Sequence, residues 1–576
     1  MPCEAFLTGS MRNIEKGTVL AVRAIGGLHV VTLAWDFVKG KEAKRNGLLG
    51  FAIERSELDK NKIVERYFLR GIKRFQHKDE GVAPGTPLPT SEHPIQSFQW
   101  GDYTARPATR YRYRVVPVYG KPKLLQLEDK SSTTVEIRTE AEAGRVGRDG
   151  KAAHDIYFNR GVAGSQAYAR KFTTKPDESK PESAQMAWLS RGLFEALLGF
   201  IARAAGKDAK NYKLRGVFYE FRYLPVGNAL AAARQAGADV AIRYEAQSYA
   251  DENESMIAQA GIKAICVPQK SRAGIRHNKF LVLIYKNKPV AVWTGSTNIS
   301  AGGIFGHSNV GHVVWDEAIA RRYLDYWTRL ADPNVSRAPL VAANLKTEAT
   351  PTAGFAPPND RVLALFSPRD EKDTAKTLRW YGGLMGSAQR VMCMTFAFGL
   401  DELFFDVLTR KDDVLRYAVF DDNVKTDVEQ QIDEVRNTVI AAGARLGKGD
   451  LENFIGETLT GFNKNQYIHD KFMLVDPLGD DPVVATGSAN FSAASQIAND
   501  ENMLVIRGNT RVADIYFGEF MRIFDHLYSR YIVGKMKKRG THDPDAGFLR
   551  ENAADWVPQH FAKGRKDLRR RYFMGV

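Results

Sequence analysis

The sequence predicts an α/β protein in which two similar lobes follow an all-β sandwich. From about residue 15 to about residue 140, short segments alternate apolar and polar positions between turns rich in Gly, Pro and charge, as in a β-sandwich. From residue 186 onwards, strand-like and helix-like segments alternate, which is typical of βαβ units. The order of these segments repeats, and the repetition indicates an internal duplication.

The first region has the pattern of an immunoglobulin-like sandwich. The segment HVVTLAWDF places Val31, Leu33 and Trp35 on one face of a strand, and RYRYRVVPVYG alternates aromatic, basic and apolar positions. These segments resemble the second and sixth strands of a fibronectin type III domain, and the resemblance makes Trp35 the core Trp and Tyr111 the tyrosine-corner residue. A sandwich of another topology is the alternative. No catalytic pattern occurs here, so we expect a module that docks a protein partner.

Changes in composition divide the rest of the chain. The polar stretch TTKPDESKPES marks a linker over residues 141–185, and LVAANLKTEATPTAGFAPPND marks a second linker over residues 336–360. The first α/β lobe is therefore expected at 186–335 and the second at 361–535, followed by a basic C-terminal tail at 536–576.

Composition limits the classes of protein to which the chain belongs. The 576 residues are 44% hydrophobic and 26% charged, as in globular proteins, and no apolar run is long enough to span a membrane. The three cysteines are far apart and odd in number, which argues against a disulfide framework or a Cys-based zinc site and favours a reducing compartment. No secretory signal is visible, so we expect a cytoplasmic protein. The net charge of +15 suggests a polyanionic partner: nucleic acid, an anionic membrane surface or a phosphate-bearing substrate.

Both lobes contain the same motif, a His-x-Lys that is followed by a Gly-Ser-x-Asn. The first copy reads IRHNKFLVLIYKNKPVAVWTGSTNIS, and the second reads YIHDKFMLVDPLGDDPVVATGSANFS. In each copy, a His and a Lys two positions apart open an apolar strand, and Gly-Ser-x-Asn closes the next strand. Asn298 follows His277 by 21 residues, and Asn490 follows His469 by the same 21 residues. A single His-x-Lys is most often an edge-strand Lys beside a core His, but a matched pair at one spacing indicates a shared site.

The paired motif resembles the signature of the phospholipase D superfamily, which combines His-x-Lys, a downstream Asp and Gly-Ser-x-Asn. The resemblance covers about residues 186–535. It implies two α/β lobes that pack about a pseudo-two-fold axis, so that both His-x-Lys strands meet at one site. It also implies a phosphodiesterase that works through a phosphohistidine, without a metal ion or other cofactor.

The motif supplies each group that cleavage of a phosphodiester needs. One imidazole attacks phosphorus and the other protonates the leaving oxygen, while Lys and Asn side chains grip the non-bridging oxygens. The motif Ser hydroxyls either add donors or shape the turn. Asp476 occurs only in the second copy, on the opposite face of its strand from His469, and we interpret it as structural support. The expected catalytic residues are His277, Lys279, Asn298, His469, Lys471 and Asn490, and the supporting serines are Ser296 and Ser488.

A second spacing suggests how the two histidines differ. Asn309 follows His277, and Glu501 follows His469, by 32 residues in each copy. In the superfamily, this region supplies the side chain that hydrogen-bonds the far nitrogen of each histidine. A carboxylate favours imidazolium and an amide does not. We therefore assign His277, beside Asn309, as the neutral nucleophile and His469, beside Glu501, as the general acid.

Residues outside the motif give further indications. His307 and His312 lie near the first motif, have no His at the matching positions of the second copy, and are interpreted as ordinary loop or core residues. The C-terminal segments GKMKKRG and GRKDLRRRYF suggest either a solvated tail or a surface that binds phosphate backbones.

Three functions fit these patterns. A phosphodiesterase that acts on nucleic acid is favoured by the net charge and the basic C-terminus. Removal or exchange of phospholipid head groups is the alternative, although no apolar interfacial helix is evident. A non-catalytic scaffold that binds nucleic acid is the second alternative.

Overall fold

The computed structural model describes most of the chain. The described residues are 11–78, 81–83, 85–142, 153–161, 166–172, 174–270, 274–331, 336–351, 362–370, 374–422, 424–444, 467–540 and 547–576. None of the helices in these ranges is long and apolar enough to cross a membrane. Cys266 and Cys393 are free thiols, and Cys3 lies outside the described residues.

The N-terminal region is an all-β sandwich, as predicted. Its strands are β1 (Arg12–Lys16), β2 (Leu20–Gly26), β3 (Val31–Phe37), β4 (Gly50–Asp59), β5 (Lys62–Phe68), β6 (Arg70–Gly71), β7 (Leu88–Pro89), β8 (Gln99–Asp102), β9 (Arg110–Lys121), β10 (Leu124–Leu127) and β11 (Thr133–Arg138). One sheet has the order β1-β2-β3-β8, and the other has the order β10-β9-β4-β5 with β11 beside β9. Trp35 is fully buried between them, with its ring 5.2 Å from that of Phe51.

The first lobe is a mixed sheet that is covered on both faces. Its strands are β12 (Ala153–Phe158), β13 (Tyr212–Phe218), β14 (Asp239–Glu245), β15 (Cys266–Gln269), β16 (Lys279–Tyr285), β17 (Lys288–Gly295) and β18 (Val310–Trp315). Its helices are α1 (Gln166–Lys171), α2 (Ala184–Ser190), α3 (Leu193–Ala202), α4 (Leu224–Gln235), α5 (Ala250–Gln259) and α6 (Glu317–Arg329), and α7 (Arg337–Thr347) follows. The strand order is β12-β18-β17-β16-β13-β14-β15.

The second lobe repeats this plan. Its strands are β19 (Val362–Ser367), β20 (Val391–Phe396), β21 (Leu415–Phe420), β22 (Thr438–Ala442), β23 (Phe472–Val475), β24 (Val483–Gly487) and β25 (Glu501–Arg507). Its helices are α8 (Lys376–Gly386), α9 (Glu402–Leu408), α10 (Thr426–Asp433), α11 (Ala493–Ile497) and α12 (Thr510–Lys538), and α13 (Arg565–Met574) comes last. The strand order, β19-β25-β24-β23-β20-β21-β22, matches that of the first lobe position by position, which confirms the duplication.

The motif strands are apolar throughout because both of their faces are buried. In β16, Phe280 and Val282 face the core between the lobes, whereas Leu281 faces the outer helices of the first lobe. In β23, Phe472 faces the same central core and Met473 faces the outer core of the second lobe. The central core therefore joins the two motif strands to each other and fixes their separation.

Two expected linkers contain structured elements. Residues 153–158, expected in the first linker, form β12, an edge strand that pairs antiparallel with β18 from Ala153 opposite Trp315 to Phe158 opposite Val310. Helix α7 lies within the second expected linker, and its Asn344 Nδ2 donates to the carbonyl oxygen of Pro368 at 2.9 Å. The first lobe is therefore larger than the sequence predicted.

The C-terminal segment is not a free basic tail, so that prediction is wrong. Residues 547–576 return to the sandwich, where Trp556 is 2% exposed and its indole N–H donates to the carbonyl oxygen of Leu48 at 3.1 Å. Arg570 of α13 forms an ion pair with Asp36 of the sandwich. These contacts tie Trp556 and Arg570 to the sandwich.

Candidate active site

The two His-x-Lys segments meet at the junction of the lobes. His277 lies just before β16 and His469 just before β23, and their ring centroids are 6.4 Å apart. The backbone N–H of His277 donates to the carbonyl oxygen of Asp500 at 3.0 Å, and that of His469 donates to the carbonyl oxygen of Ser308 at 3.1 Å. Each motif strand is thus held by the other lobe, and this crossing forms one site from two copies.

The Gly-Ser-x-Asn turns require glycine for a steric reason. Gly295 has a φ of +126°, and a Cβ there would lie 2.3 Å from the carbonyl oxygen of Val310. In the second copy, a Cβ on Gly487 would lie 2.2 Å from the carbonyl oxygen of Asn502. The neighbouring strand passes so close that only glycine fits, and this contact fixes the Ser that follows.

The predicted pairing of the histidines with Glu501 and Asn309 is wrong. His277 Nδ1 donates to the carboxylate of Glu501, at 2.9 Å to Oε2 and 3.0 Å to Oε1. His469 Nδ1 donates to Asn309 Oδ1 at 3.0 Å and to the carbonyl oxygen of Ser296 at 3.1 Å. Each histidine is held by a residue of the other lobe. The spacing of 32 residues gives only order along the chain, whereas packing between the lobes decides which histidine each side chain reaches.

The motif serines hold these partner residues. Ser296 Oγ donates to Asn309 Oδ1 at 2.7 Å, and Ser488 Oγ donates to Glu501 Oε2 at 2.7 Å. Each hydroxyl also accepts a backbone N–H from the strand that follows, at 3.1 Å and 3.0 Å. Since the single hydroxyl proton of each serine is already donated, these contacts favour the interpretation that the serines shape the turn.

The motif Lys and Asn side chains retain donors for a phosphoryl group. Lys279 Nζ donates at 2.5 Å, and Lys471 Nζ at 2.7 Å, to the carbonyl oxygen of the histidine two residues before it. A charged ammonium has three N–H donors, so two remain on each Lys. Asn298 Nδ2 donates one hydrogen to Glu220 Oε1 at 2.7 Å and has a second, and Asn490 is its equivalent in the second lobe.

The basic groups of the site are desolvated. Burial lowers the pKa of His277 to about 4, despite the opposing attraction of Glu501, and lowers the pKa of Lys279 to about 7. Burial, reinforced by the adjacent Lys471, lowers the pKa of His469 well below its usual value. Burial alone disfavours the Glu501 carboxylate, but His277 and Lys279 keep its pKa below the usual value. Grouping buried bases is unfavourable unless an anion joins them, so the site suits a phosphate.

Asp476 lies outside this cluster. Its carboxylate accepts the backbone N–H groups of Gln389 at 2.8 Å, Arg390 at 2.8 Å and Val391 at 3.0 Å. These bonds hold the start of β20 and agree with a structural role. The first copy has Ile284 in place of this Asp, so this support is present only in the second lobe.

One residue of the site was missed by the sequence interpretation. His312 is a core residue as predicted, with Nε2 2.8 Å from His154 Nδ1 and Nδ1 3.0 Å from the hydroxyl of Tyr516. His307, predicted to be equally ordinary, has its ring centroid only 4.8 Å from that of His469. The signal available in the sequence was its position, two residues before Asn309 and therefore next to the site.

A cavity of about 1290 Å³ opens beside these residues on the first lobe. Glu220, which accepts the hydrogen bond from Asn298, is part of its lining, so the cavity adjoins the motif residues. Arg222 also lines it and is paired with Glu220 at 2.9 Å. We name this cavity the acidic pocket, and the ionisable Glu, Asp, Arg and His groups of its lining are Glu178, Glu220, Asp251, Glu252, Arg222 and His307.

Residues 431–527 match the family model described as cardiolipin synthase, PLD-like domain. This part of the chain is similar to a phospholipase-D-like domain. It contains the second motif, from His469 to Asn490, and also Glu501. The first lobe has the same strand order, so the phospholipase-D-like fold is present twice. No curated protein matches the chain.

Parts of the chain are similar to solved structures of other proteins. Phosphatidylserine synthase from Haemophilus influenzae Rd KW20 is 11% identical, with 61% of this chain and 91% of that chain covered and a TM-score of 0.40. Nuc from Salmonella typhimurium, a phospholipase D family member, is 20% identical, with 31% of this chain and 93% of that chain covered and a TM-score of 0.21. Polyphosphate kinase from Porphyromonas gingivalis is 11% identical, with 55% of this chain but only 46% of that chain covered and a TM-score of 0.34. Likenesses of this size do not extend to substrate or activity.

Proposed function

We propose that the protein is a phosphodiesterase that forms a phosphohistidine and needs no metal ion. The observation that carries this proposal is the meeting of two imidazoles from opposite lobes, 6.4 Å apart between ring centroids, each with Nδ1 bound to an acceptor. Both Nε2 atoms then remain for the reaction. Attack on phosphorus and protonation of the leaving oxygen each need one such nitrogen, within roughly 3 Å of the reacting atom.

We assign the nucleophile to His277 because its partner is Glu501. A bound phosphodiester anion favours the protonated form of His469. In the first step, His277 Nε2 forms a bond to phosphorus, the P–O bond to the leaving group breaks, and a proton moves from His469 Nε2 to the leaving oxygen. Positive charge thereby moves from His469 to the phosphorylated ring of His277. A carboxylate at His277 stabilises this charge where it develops, whereas a carboxylate beside the acid would stabilise the ground state. The sequence interpretation named the same nucleophile for a different reason.

The second step returns the enzyme to its starting state. The oxygen of water, or of an alcohol in a transfer reaction, bonds to phosphorus, and His469 Nε2 takes its proton. The P–N bond breaks, and its electron pair returns to His277 Nε2. Lys279, Lys471 and the motif Asn side chains stabilise the negative charge on the non-bridging oxygens in both steps.

We propose a substrate with a small amine- or hydroxyl-bearing head group, as in phospholipids, ahead of nucleic acid. The acidic pocket supports this order, because its carboxylates attract an ammonium group and repel the phosphates that flank the cleaved bond in a nucleic-acid strand. Arg570 of the basic C-terminal segment, which favoured nucleic acid in the sequence, is paired with Asp36. The net charge of +15 is the observation that favours nucleic acid.

Activity should survive excess EDTA, because Lys and Asn donors stabilise the charge that a metal ion stabilises in other phosphodiesterases. The measurement incubates the purified protein in EDTA with vesicles of mixed phospholipids and, separately, with single-stranded DNA, duplex DNA and RNA. We expect released head group and intact strands. The His277→Ala protein, purified in parallel, controls for contaminating enzymes.

Two outcomes of that experiment would change these proposals. Cleavage of nucleic acid with no head-group release would reverse the order of substrates. Loss of all activity in EDTA, with recovery in Mg²⁺ or Zn²⁺, would contradict the mechanism.

Binding of an inorganic anion should take up protons slightly above neutral pH. Burial holds the pKa of Lys279 at about 7, so its side chain is partly deprotonated there. A bound anion favours the ammonium and raises this pKa, so the complex binds more protons than the free protein. Calorimetry with sulfate, which does not titrate near neutral pH, in buffers of different ionisation enthalpy gives the number of protons. The Lys279→Met variant should take up fewer, and net release of protons by the wild type would refute the assignment.

We also infer that the N-terminal sandwich is a fibronectin type III-like domain. The strand order of the sandwich supports this inference, with β2-β3-β8 in one sheet and β5-β4-β9-β11 in the other. The hydroxyl of Tyr111 accepts the backbone N–H of Arg106 at 2.9 Å, as in a tyrosine corner. A protein partner for this domain stays a prediction.

A further inference from the structure

His307 is a third imidazole beside the two motif histidines. Its ring centroid lies 4.8 Å from that of His469, and the residue is only 6% exposed. Neither ring nitrogen has a hydrogen-bond partner within the part of the chain that the structure describes. A buried polar group without a partner is unfavourable, and a ligand in the site removes that penalty by supplying one.

The second lobe uses the equivalent position differently. Asn499 follows His469 by 30 residues, as His307 follows His277. Asn499 Nδ2 donates to Glu501 Oε1 at 3.2 Å, and its Oδ1 accepts the backbone N–H of Ile275 at 3.2 Å. Asn499 therefore supports the carboxylate that holds the nucleophile. In the first lobe, Asn309 is held by Ser296 and by the carbonyl oxygen of Gly303. His307 is therefore not needed to support Asn309.

The chain on both sides of His307 is fixed, and this holds the ring in place. A π-helical turn over Gly302–Gly306 ends just before His307. Such turns are frequent at functional sites. The N–H of His307 donates to the carbonyl oxygen of Gly302 at 3.2 Å, and its carbonyl oxygen accepts from Asn159 Nδ2 at 2.9 Å. Burial, with a contribution from Lys471, lowers the pKa of the ring to about 3. The neutral ring has one N–H donor and one acceptor nitrogen.

His307 contacts both the general acid and the pocket beside it. Its ring lies against His469, and its side chain forms part of the lining of the acidic pocket. In the proposed reaction, the leaving oxygen must lie next to His469 in the first step, and the attacking water must lie there in the second. A group in either place also borders His307.

We propose that His307 positions the attacking water in the second step, by accepting a hydrogen bond from the water proton that does not move to His469. This inference rests on the proposed function and adds a residue that acts on the acceptor rather than on phosphorus. In the second step, the water oxygen bonds to phosphorus, one water proton moves to His469 Nε2, and the P–N bond breaks with its electrons returning to His277. The other water proton stays on oxygen, hydrogen-bonded to the acceptor nitrogen of His307.

The test compares full-length wild type, His307→Leu and His307→Asn on bis(p-nitrophenyl) phosphate. Because p-nitrophenolate leaves without a proton, its initial burst reports attack by His277, and its steady-state release reports loss of the phosphoryl group. We expect a burst rate within about twofold of wild type and a steady-state rate about 10- to 100-fold lower in His307→Leu, as for loss of one positioning hydrogen bond. His307→Asn, which keeps a donor and an acceptor, should recover part of the rate.

Ethanol as a competing acceptor gives a readout that a merely structural role would not move. The ratio of ethyl ester to hydrolysis product should change in His307→Leu and stay at the wild-type value in the control His77→Leu, which alters an exposed His of the sandwich. The burst amplitude counts folded active sites, so a lower yield of folded variant does not imitate the effect. An equal fall of burst and steady-state rates, or wild-type rates and product ratio in His307→Leu, would overturn the inference. A wild-type protein that forms no phosphohistidine would overturn the proposed function, and this inference with it.

Discussion

The His469→Asn variant should trap a phosphoryl group on His277 and lose turnover by about 10⁴-fold or more. Asn cannot protonate a leaving oxygen, but p-nitrophenolate leaves without a proton, so bis(p-nitrophenyl) phosphate still phosphorylates His277. Asn also cannot take a proton from water, and the adduct therefore persists. Peptide mass spectrometry after an alkaline quench, which preserves phosphohistidine, identifies the modified residue.

The His277→Asn variant is the matched control for this trap. It should lose turnover to a similar extent but form no adduct, because the nucleophile itself is missing. An adduct on His469 would exchange the roles of the two histidines and leave the reaction class intact. Turnover near the wild-type rate in either variant would mean that the two lobes do not share one site.

The Glu519→Ala variant should be destabilised by about 3–5 kcal/mol, because it leaves buried charges without a partner. Glu519 on α12 accepts from Arg191 of the first lobe at 2.5 Å and from Arg522 at 2.8 Å. All three side chains are at least nine-tenths buried. The variant keeps both guanidinium groups buried and removes the carboxylate that neutralises them. Denaturant unfolding of the full-length protein measures the loss.

An exposed ion pair gives the matched control. Asp481 pairs with Arg507 at 2.6 Å on the surface, so Asp481→Ala should cost only about 0–1 kcal/mol. Equal losses in the Asp481 and Glu519 variants would contradict the role of the buried network.

The same network predicts how stability depends on pH. Burial opposes ionisation of Glu519, but Arg191 and Arg522 hold its pKa at about 2, below the usual value of 4.5. Its contribution is therefore fully present above the usual pKa and is lost as pH falls towards about 2. Melting temperatures of the wild type and Glu519→Ala should converge over this range.

Local patterns were sufficient to predict the fold class. The alternation around Trp35 predicted a sandwich strand, and the apolar run after each His-x-Lys predicted the motif strands. These signals depend on side chains within a few residues of one another, and the structure has the corresponding strands β3, β16 and β23.

Elements that depend on distant partners were not predictable in the same way. Strand β12 became part of the first lobe because it pairs with β18, more than 150 residues later in the chain, and its own sequence does not reveal that pairing. The basic run of α13 is equally ambiguous. Arg570 gives the same local pattern whether it is solvated, binds phosphate or, as here, pairs with Asp36.

The sequence by itself determined which side chains form the candidate site, because a repeated motif at a fixed spacing places the same groups at the same points of two equivalent strands. Only the tertiary structure decided how they are paired. Glu501 lies beside His277 rather than His469, and His307 lies against His469 instead of in an ordinary loop. The physical reason is that spacing along the chain describes one lobe at a time, whereas each of these contacts depends on how the two lobes pack against each other.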